Sequence, residues 1–178
     1  MERVPFRATA AAAAYDDLRL PVVIMLDNIR SMYNVGSFFR TADGAAIERL
    51  LLSGITAKPP KKEISKTALG AETNVIWEPV EEACTRVKKL RDSGYEIAAV
   101  ETTLHATDIF DWQPRFPVCV LFGHEVEGLS PDLLALCDTY VRIPMLGLKH
   151  SLNVASAGAL VLYELLRKYR VLFRSRLS

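Results

Sequence analysis

Residues 143–154 read IPMLGLKHSLNV and lead into an apolar segment that ends near Tyr169. The residues just before this stretch favour a strand, and Pro144 ends it because proline has no backbone donor for a sheet. Ser151 or Asn153 can cap a helix that begins at this point. The stretch therefore predicts a strand, a loop and a helix, and a loop of this kind presents both donors and acceptors to a ligand.

Strand and helix patterns alternate along the rest of the chain. Continuous apolar runs predict strands, and apolar residues at helical spacing predict helices. We predict further strands at residues 21–26, 49–53, 75–77, 96–100 and 117–122, and helices at residues 31–42 and 79–93. This alternation is typical of an α/β protein with a mostly parallel, doubly wound sheet. A length of 178 residues is enough for one domain with a full core.

The charge of the chain limits how it can contact nucleic acid. The formal net charge is +1, so any contact with RNA must come from local patches rather than from a global basic field. One patch is the segment 56–66, which has no apolar period and contains Lys58, Lys61, Lys62 and Lys66. We predict a mobile basic loop there, which is either an ordinary solvated loop or a phosphate-binding surface.

Cysteine and histidine usage indicates a reduced protein without a metal site. Cys84, Cys119 and Cys137 are odd in number and far apart, which favours a cytoplasmic protein over a disulfide framework. The three histidines have no Cys or His partner at metal-ligand spacing, so we expect no metal. The alanine-rich run at residues 10–14 is too short and too weakly apolar to span a membrane, so we expect no membrane contact.

Three loops that follow strand ends form a candidate pocket, because ligands of parallel α/β sheets bind beyond the carboxyl ends of the strands. These loops are residues 101–103, 123–130 and 145–153. In the second loop, Gly123 and Gly128 flank two carboxylates and allow the backbone to approach a ligand closely. The loop has no Walker or Rossmann pattern, and an ordinary strand-turn-helix also explains it.

Single polar residues are less informative. Ser151 and His150 are adjacent and point apart, and no Gly-x-Ser-x-Gly elbow surrounds them, which disfavours a hydrolase. His124 has no partner in the sequence and is interpreted as a polar loop residue. Arg40 follows Asn34 by six residues near the start of an apolar helix. Its guanidinium can form a surface ion pair, or it can bind a phosphate or a developing oxyanion.

Three segments, in this order and spacing, resemble the three motifs of the SpoU (TrmH-like) branch of the SPOUT RNA methyltransferases. They are residues 34–40 (NVGSFFR), 122–130 (FGHEVEGLS) and 143–154. The resemblance covers roughly residues 22–168 and implies a C-terminal trefoil knot, which sequence periodicity does not indicate. It also implies S-adenosylmethionine as the methyl donor, a homodimer, and methyl transfer to a ribose 2′-hydroxyl of structured RNA (tRNA or rRNA).

The resemblance further implies roles for individual residues. Arg40 would act on the ribose hydroxyl, and Asn34 would position it. Glu125 and Asn153 would shape the site, and Ser151 would help to hold a substrate phosphate. Because an arginine side chain is a poor base at neutral pH, we expect Arg40 to stabilise the developing alkoxide or a phosphate at least as much as it accepts a proton. The implied cofactor-binding residues are Glu101, Thr102, Thr103, Gly123, Gly128, Ile143, Met145, Gly147, Ser151 and Leu152. The expected RNA-binding residues are Arg30, Arg40, Lys58, Lys61, Lys62 and Lys66.

The last helix carries two apolar stripes at helical spacing. One consists of Ala155, Gly158, Ala159, Leu162 and Leu166, and the other of Val154, Ala157, Val161 and Leu165. A helix that is apolar on two sides is buried on two sides, so one side packs on a partner unless both are covered within the chain.

The expected organisation has three parts. We divide the chain into an N-terminal helical extension (residues 1–20), a methyltransferase domain (residues 21–170) and a short basic tail (residues 171–178). The alternative to an enzyme is a non-catalytic RNA-binding dimer that keeps the same fold. The presence of all five candidate catalytic residues favours the enzyme.

Overall fold

The computed structural model describes residues 19–103 and 105–177, with side chains described as far as Leu172. All but the last two residues of the expected N-terminal extension therefore lie outside the described residues.

Across the described residues, the core of the fold is one sheet of seven strands. They are β1 (Leu20–Asp27), β2 (Ile47–Ser53), β3 (Trp77–Val80), β4 (Glu96–Val100), β5 (Thr107–Asp108), β6 (Val118–Phe122) and β7 (Thr139–Arg142). Their order is β3-β2-β1-β6-β4-β7-β5, and every neighbouring pair is parallel. This confirms the predicted α/β fold with a mostly parallel sheet. The trefoil knot stays an implication of the family resemblance.

Helices cover both faces of this sheet. In the described residues they are α1 (Met32–Gly44), α2 (Lys62–Ala68), α3 (Ala83–Asp92), α4 (Pro131–Leu134) and α5 (Val154–Leu177). Side chains of β1 alternate between the two faces: Val22 and Ile24 pack in the cluster that contains α1 and α5, whereas Val23 and Met25 pack in the cluster that contains α3. Burial on both faces explains why the strand sequence is apolar throughout rather than alternating.

Helix α1 lies between α2 and α5 and contacts both at very short range. A Cβ atom on Gly36 of α1 would lie 2.1 Å from Thr67 Oγ1 and 2.3 Å from the carbonyl oxygen of Ile64, both in α2. A Cβ atom on Gly158 of α5 would lie 2.2 Å from the ring of Phe38 in α1. Side chains at these two glycines would force the helices apart. The two contacts fix α2 and the start of α5 relative to α1.

Three predictions from the sequence are wrong in the region of residues 56–93. Helix α2 begins at Lys62, inside the segment predicted as a mobile loop, because Ile64 and Ala68 lie one turn apart and are both buried. Strand β3 covers residues 77–80 rather than 75–77 because it pairs with the second half of β2. The following helix, predicted from residue 79, accordingly begins at Ala83, after this strand has ended.

Helix α5, with 24 residues, extends past the expected domain boundary. It continues to Leu177, so the division drawn at residue 170 falls inside this helix. No helix in the described part of the chain is long and apolar enough to cross a membrane. The same part contains no cluster of three or more His, Cys, Asp or Glu side chains suited to a metal ion.

Candidate functional site

A cavity of about 330 Å³ opens at the carboxyl ends of β4, β6 and β7. The last residues of these strands, Val100, Phe122 and Arg142, lie in its wall beside the first turn of α5. All three loops selected from the sequence contribute to the lining. The volume falls within the range of roughly 300–1,000 Å³ that is typical of small-molecule sites.

Most of the predicted cofactor-binding residues lie in the cavity wall, and two do not. Those in the wall are Glu101, Thr102, Gly123, Gly128, Ile143, Met145, Ser151 and Leu152. Thr103 and Gly147 are not part of the described lining. Gly147 lies between Leu146 and Leu148, whose side chains are 99% and 95% exposed. The tip of this loop therefore projects into solvent rather than into the cavity.

The loop after β6 is a tight turn that is closed on itself. The N–H of His124 donates to the carbonyl of Gly128 over 3.1 Å, and the N–H of Gly128 donates back to the carbonyl of His124 over 2.9 Å. A Cβ atom on Gly123 would lie 2.4 Å from the carbonyl carbon of Gly128, and Gly128 itself has a φ of +71°. We predicted that these glycines let the backbone approach a ligand closely. In the structure, Gly123 instead lets one side of the turn pack against the backbone of the other side.

Glu101 links this turn to the loop after β4. Its Oε1 accepts the N–H of Leu129 over 2.9 Å. The same oxygen would lie 2.7 Å from a Cβ atom on Gly128, so a side chain there would displace the carboxylate. The loops after β4 and β6 are therefore held together by one partly buried hydrogen bond, and the lack of a side chain at Gly128 leaves room for it.

A polar network joins the start of α1, the turn after β6 and the start of α5. Asn153 Nδ2 donates to Asn34 Oδ1 over 3.2 Å, and Asn34 Nδ2 donates to Glu125 Oε1 over 3.2 Å. The side-chain oxygen of Asn153, Oδ1, accepts the N–H groups of Ala155 and Ser156, so Asn153 caps α5. Of the two caps that the sequence allowed, the structure shows Asn153. Three of the five candidate catalytic residues are thus connected directly.

Glu125 also binds the exposed backbone at the start of α1. Its carboxylate accepts the N–H of Arg30 over 3.2 Å and the N–H of Ser31 over 3.4 Å. Partial burial raises the pKa of Glu125, but hydrogen bonds from backbone N–H groups and from Asn34 outweigh it and hold the pKa below its ordinary value. The ionised carboxylate is therefore the form that stabilises this part of the fold.

Replacing Glu125 by glutamine should lower the free energy of unfolding in a pH-dependent way. The folded-state pKa is depressed, so the carboxylate stabilises the protein above its unfolded pKa of 4.5 and loses this effect as pH falls through the folded value. We expect urea denaturation to show a difference of about 1 kcal/mol or less at pH 7, since the side chain is exposed. The difference should shrink below pH 4.5. A difference that grows on acidification would contradict the assignment.

Arg40 is not brought to this network within one chain. It lies six residues after Asn34, which places it about 9 Å further along α1. There it is exposed and borders a separate open depression, together with Tyr163 of α5 and the turn after α2. The resemblance places all five candidate catalytic residues in one site. Within a single chain, four of them lie at or beside the cavity, and Arg40 lies at the separate depression.

The predicted RNA-binding lysines lie beside α1. Lys62 and Lys66 are exposed on successive turns of α2, and Lys58 and Lys61 are exposed just before it. Helix α2 is held on α1 by the Gly36 contact and by a 2.9 Å hydrogen bond from Thr67 to the carbonyl of Tyr33. Lys62 and Lys66 therefore lie on a helix that packs near the start of α1, whereas Lys58 and Lys61 lie in the loop just before it.

Some residues of the cavity wall were not selected from the sequence. They are His124, Val126, Arg142 and His150, together with apolar residues of the strands and of α5. Arg142 is the last residue of β7, and His124 lies two residues after the end of β6. A position at the carboxyl end of a parallel strand is the signal that could have identified them.

The sequence matches a known family of RNA-modifying enzymes. The profile of the SpoU rRNA Methylase family matches residues 21–163. A "Putative TrmH family tRNA/rRNA methyltransferase" of Staphylococcus haemolyticus (strain JCSC1435) is 31% identical over 149 residues, which are 84% of this chain and 59% of the relative. The chain belongs to the SpoU rRNA methylase family, which confirms the resemblance drawn from the three motifs. It spans about three fifths of the length of the curated relatives it matches.

Solved structures show the same fold. An AdoMet-bound rRNA methyltransferase from Sinorhizobium meliloti superimposes with a TM-score of 0.77 at 26% identity, covering 85% of this chain and 59% of that chain. An RNA 2′-O ribose methyltransferase superimposes with a TM-score of 0.75 at 27% identity, covering 83% of this chain and 56% of that one.

Proposed function

We propose that the chain is an S-adenosylmethionine-dependent methyltransferase that acts on a ribose 2′-hydroxyl of structured RNA, either tRNA or rRNA. One observation carries this proposal: residues of the second and third motifs line one cavity, and Asn34 of the first motif is hydrogen-bonded to Glu125 and Asn153 in its wall. The family membership and the 2′-O specificity of one solved relative support it.

The cavity wall suits a ligand with both apolar and polar parts. Val100, Ile143 and Leu152 offer apolar surface for an adenine ring, while Thr102 and Ser151 offer hydroxyl groups for ribose and amino-acid oxygens. S-adenosylmethionine supplies an activated methyl group when it is bound. The protein must then mainly align a weak nucleophile and help to remove its proton.

Asn34, Ser151 and Arg40 are the residues that we assign to aligning the RNA and removing the proton of its ribose hydroxyl. The network fixes the amide of Asn34, and with it the start of α1, where the acceptor ribose is expected to enter. Ser151 lies exposed at the cavity and can hold a phosphate of the RNA. Arg40 supplies the cation that stabilises the developing alkoxide.

We propose a homodimer because Arg40 needs a second copy to reach a cavity. The stripe that contains Ala157, Val161 and Leu165 is buried within the chain, whereas Ala155, Ala159 and Leu166 of the other stripe are only half-buried. On the same side of α5, Tyr163 and Val171 are 52% and 57% exposed, so this is the side that we expect a partner to cover. Tyr163 borders the depression that contains Arg40. We propose that a partner packed on this side of α5 brings Arg40 of one copy to the cavity of the other.

Methyl transfer itself is the direct test of the proposed function. The protein is incubated with tritiated S-adenosylmethionine and, separately, with total tRNA and total rRNA from cells that lack it. Label in one RNA pool is the expected result. Binding of RNA without any transfer would support the non-catalytic dimer instead.

The three cysteines are free thiols in the structure, and we propose a cytoplasmic location on that basis.

Replacing Lys62 and Lys66 together by glutamine should weaken RNA binding and reduce its salt dependence. Each lysine that neutralises a phosphate releases counterions, so the slope of log K against log salt should fall by about 1 to 2. The matched control is Lys88→Gln with Lys89→Gln on α3, which covers the opposite face of the sheet. Filter binding from about 50 to about 500 mM salt, one decade, measures both slopes. Equal slopes for the two variants would mean that the lysines of α2 do not contact RNA and that α2 is an ordinary solvated helix.

A further inference from the structure

His124 lies in the cavity wall and has its ring held from one side. Its Nδ1 accepts the N–H of Val126 over 3.2 Å and the N–H of Glu127 over 3.1 Å. A nitrogen that accepts these bonds carries a lone pair, so the neutral ring has its proton on Nε2. The turn after β6 thus selects one tautomer of His124 and fixes the direction of the ring.

Nε2 is left as a donor without a partner in the described part of the chain. It sits on the edge of the ring opposite to Nδ1, and therefore points away from the turn. His150 and Ser151 also line the cavity, but no hydrogen bond among the described residues fixes their side chains. His124 accordingly offers the cavity a donor that needs no reorganisation when a ligand arrives.

Charge in the cavity indicates what this donor meets. Glu101, Glu125 and Arg142 line the wall, and each of the two glutamates uses a carboxylate oxygen to accept backbone N–H groups. A ligand carboxylate that enters beside the glutamates is repelled unless a donor or a cation faces it. A hydrogen bond to an ionised oxygen is about twice as strong as one between neutral groups.

We propose that His124 Nε2–H donates a hydrogen bond to the carboxylate of the amino-acid part of S-adenosylmethionine. The inference rests on the proposed function, because it presupposes that this cofactor occupies the cavity. It assigns His124 as a cofactor-binding residue, a role that the three motifs do not imply for it.

Two substitutions distinguish the role of the acceptor Nδ1 from that of the donor Nε2. His124→Asn keeps an acceptor at the position of Nδ1, where its Oδ1 can take the N–H groups of Val126 and Glu127, but it removes the distal donor. His124→Gln keeps a distal donor and removes the near acceptor, so it should disturb the turn. Thermal unfolding of both variants reports whether the turn is intact.

Isothermal titration with three ligands tests the inference without an activity measurement. The ligands are S-adenosylmethionine, S-adenosylhomocysteine and 5′-methylthioadenosine, which lacks the amino-acid part. For His124→Asn we expect affinity for the first two to fall about tenfold or more and affinity for methylthioadenosine to stay unchanged. The unfolding temperature should match that of the wild type.

The other outcomes overturn the inference in distinguishable ways. Unchanged affinity for all three ligands means that Nε2 makes no cofactor contact. An equal loss for all three means that the contact is not with the carboxylate. A rise in KM for RNA with unchanged cofactor affinity assigns the donor to RNA. If the wild type binds none of the three ligands, the cofactor assignment itself fails.

Discussion

Replacing Arg40 by alanine is expected to lower kcat for methyl transfer by about a hundredfold or more, because it removes the cation that the proposed mechanism places beside a developing negative charge. The dissociation constant of S-adenosylmethionine should hardly change, since Arg40 lies outside the cavity of its own chain. Stopped-time transfer of tritium gives kcat, and calorimetric titration gives the dissociation constant. Arg40→Lys is the control, because it keeps the charge and loses the planar donor fork. Unchanged turnover in Arg40→Ala would remove Arg40 from the mechanism.

A mixing experiment tests whether Arg40 acts across the proposed dimer. Arg40→Ala and Asn153→Ala chains are inactive separately if both residues are needed at one site. After the two variants exchange subunits, a mixed dimer has one intact site only when Arg40 acts on the partner's cavity. Recovery to about a quarter of wild-type activity is then expected, because half of the dimers are mixed and each has one working site. No recovery would place Arg40 and Asn153 in the same chain's site.

Replacing Lys168 by methionine is expected to destabilise the fold by about 3–5 kcal/mol, the usual cost of removing one partner of a buried charge. Lys168 is 7% exposed in α5, and its Nζ donates to the carbonyls of Ile109 over 2.6 Å, Phe110 over 3.3 Å and Trp112. It also lies 3.4 Å from a carboxylate oxygen of Glu164. Methionine fills the same space but leaves these carbonyls without a donor.

Urea denaturation measures the loss, and Arg167 provides a matched control. Arg167 binds the same carboxylate of Glu164 but is exposed, so Arg167→Met should change stability little. Its hydrogen bond is the first cause of the lowered pKa of Glu164, and burial opposes it. If both variants lost equal stability, Glu164 rather than the carbonyl cluster would account for the effect.

The parts of this fold that were predicted correctly depend on short-range patterns. Strand β1 and strand β6 are buried on both faces, and a continuous apolar run is a sufficient signal for that. Parallel strands place their carboxyl ends at one edge of the sheet, so loops that are far apart in sequence could be assigned to one pocket. Residue type at a helix start allowed Ser151 or Asn153 as the cap of α5, and the structure shows Asn153 in this role.

The parts that were missed depend on contacts between distant segments. Helix α2 has a weak pattern of its own and is buried because Gly36 allows it to lie directly against α1. The tautomer of His124 is set by two N–H groups whose direction exists only in the folded turn. Arg40 could be given a role from its motif, but its distance from the cavity depends on its position along α1. Lys168 looks like an ordinary lysine in sequence and is buried by a loop about 56 residues away.

The most direct test of the central claim is nucleoside analysis of RNA methylated by the purified protein. RNA from cells that lack the protein is incubated with it and S-adenosylmethionine, digested to nucleosides and separated by mass spectrometry. We predict a 2′-O-methylated nucleoside, recognised by a methyl group that stays on the sugar fragment and by resistance of the neighbouring phosphodiester to alkali. A methyl group on the base fragment, or no methylation of any RNA pool by a folded protein that binds the cofactor, would contradict the account.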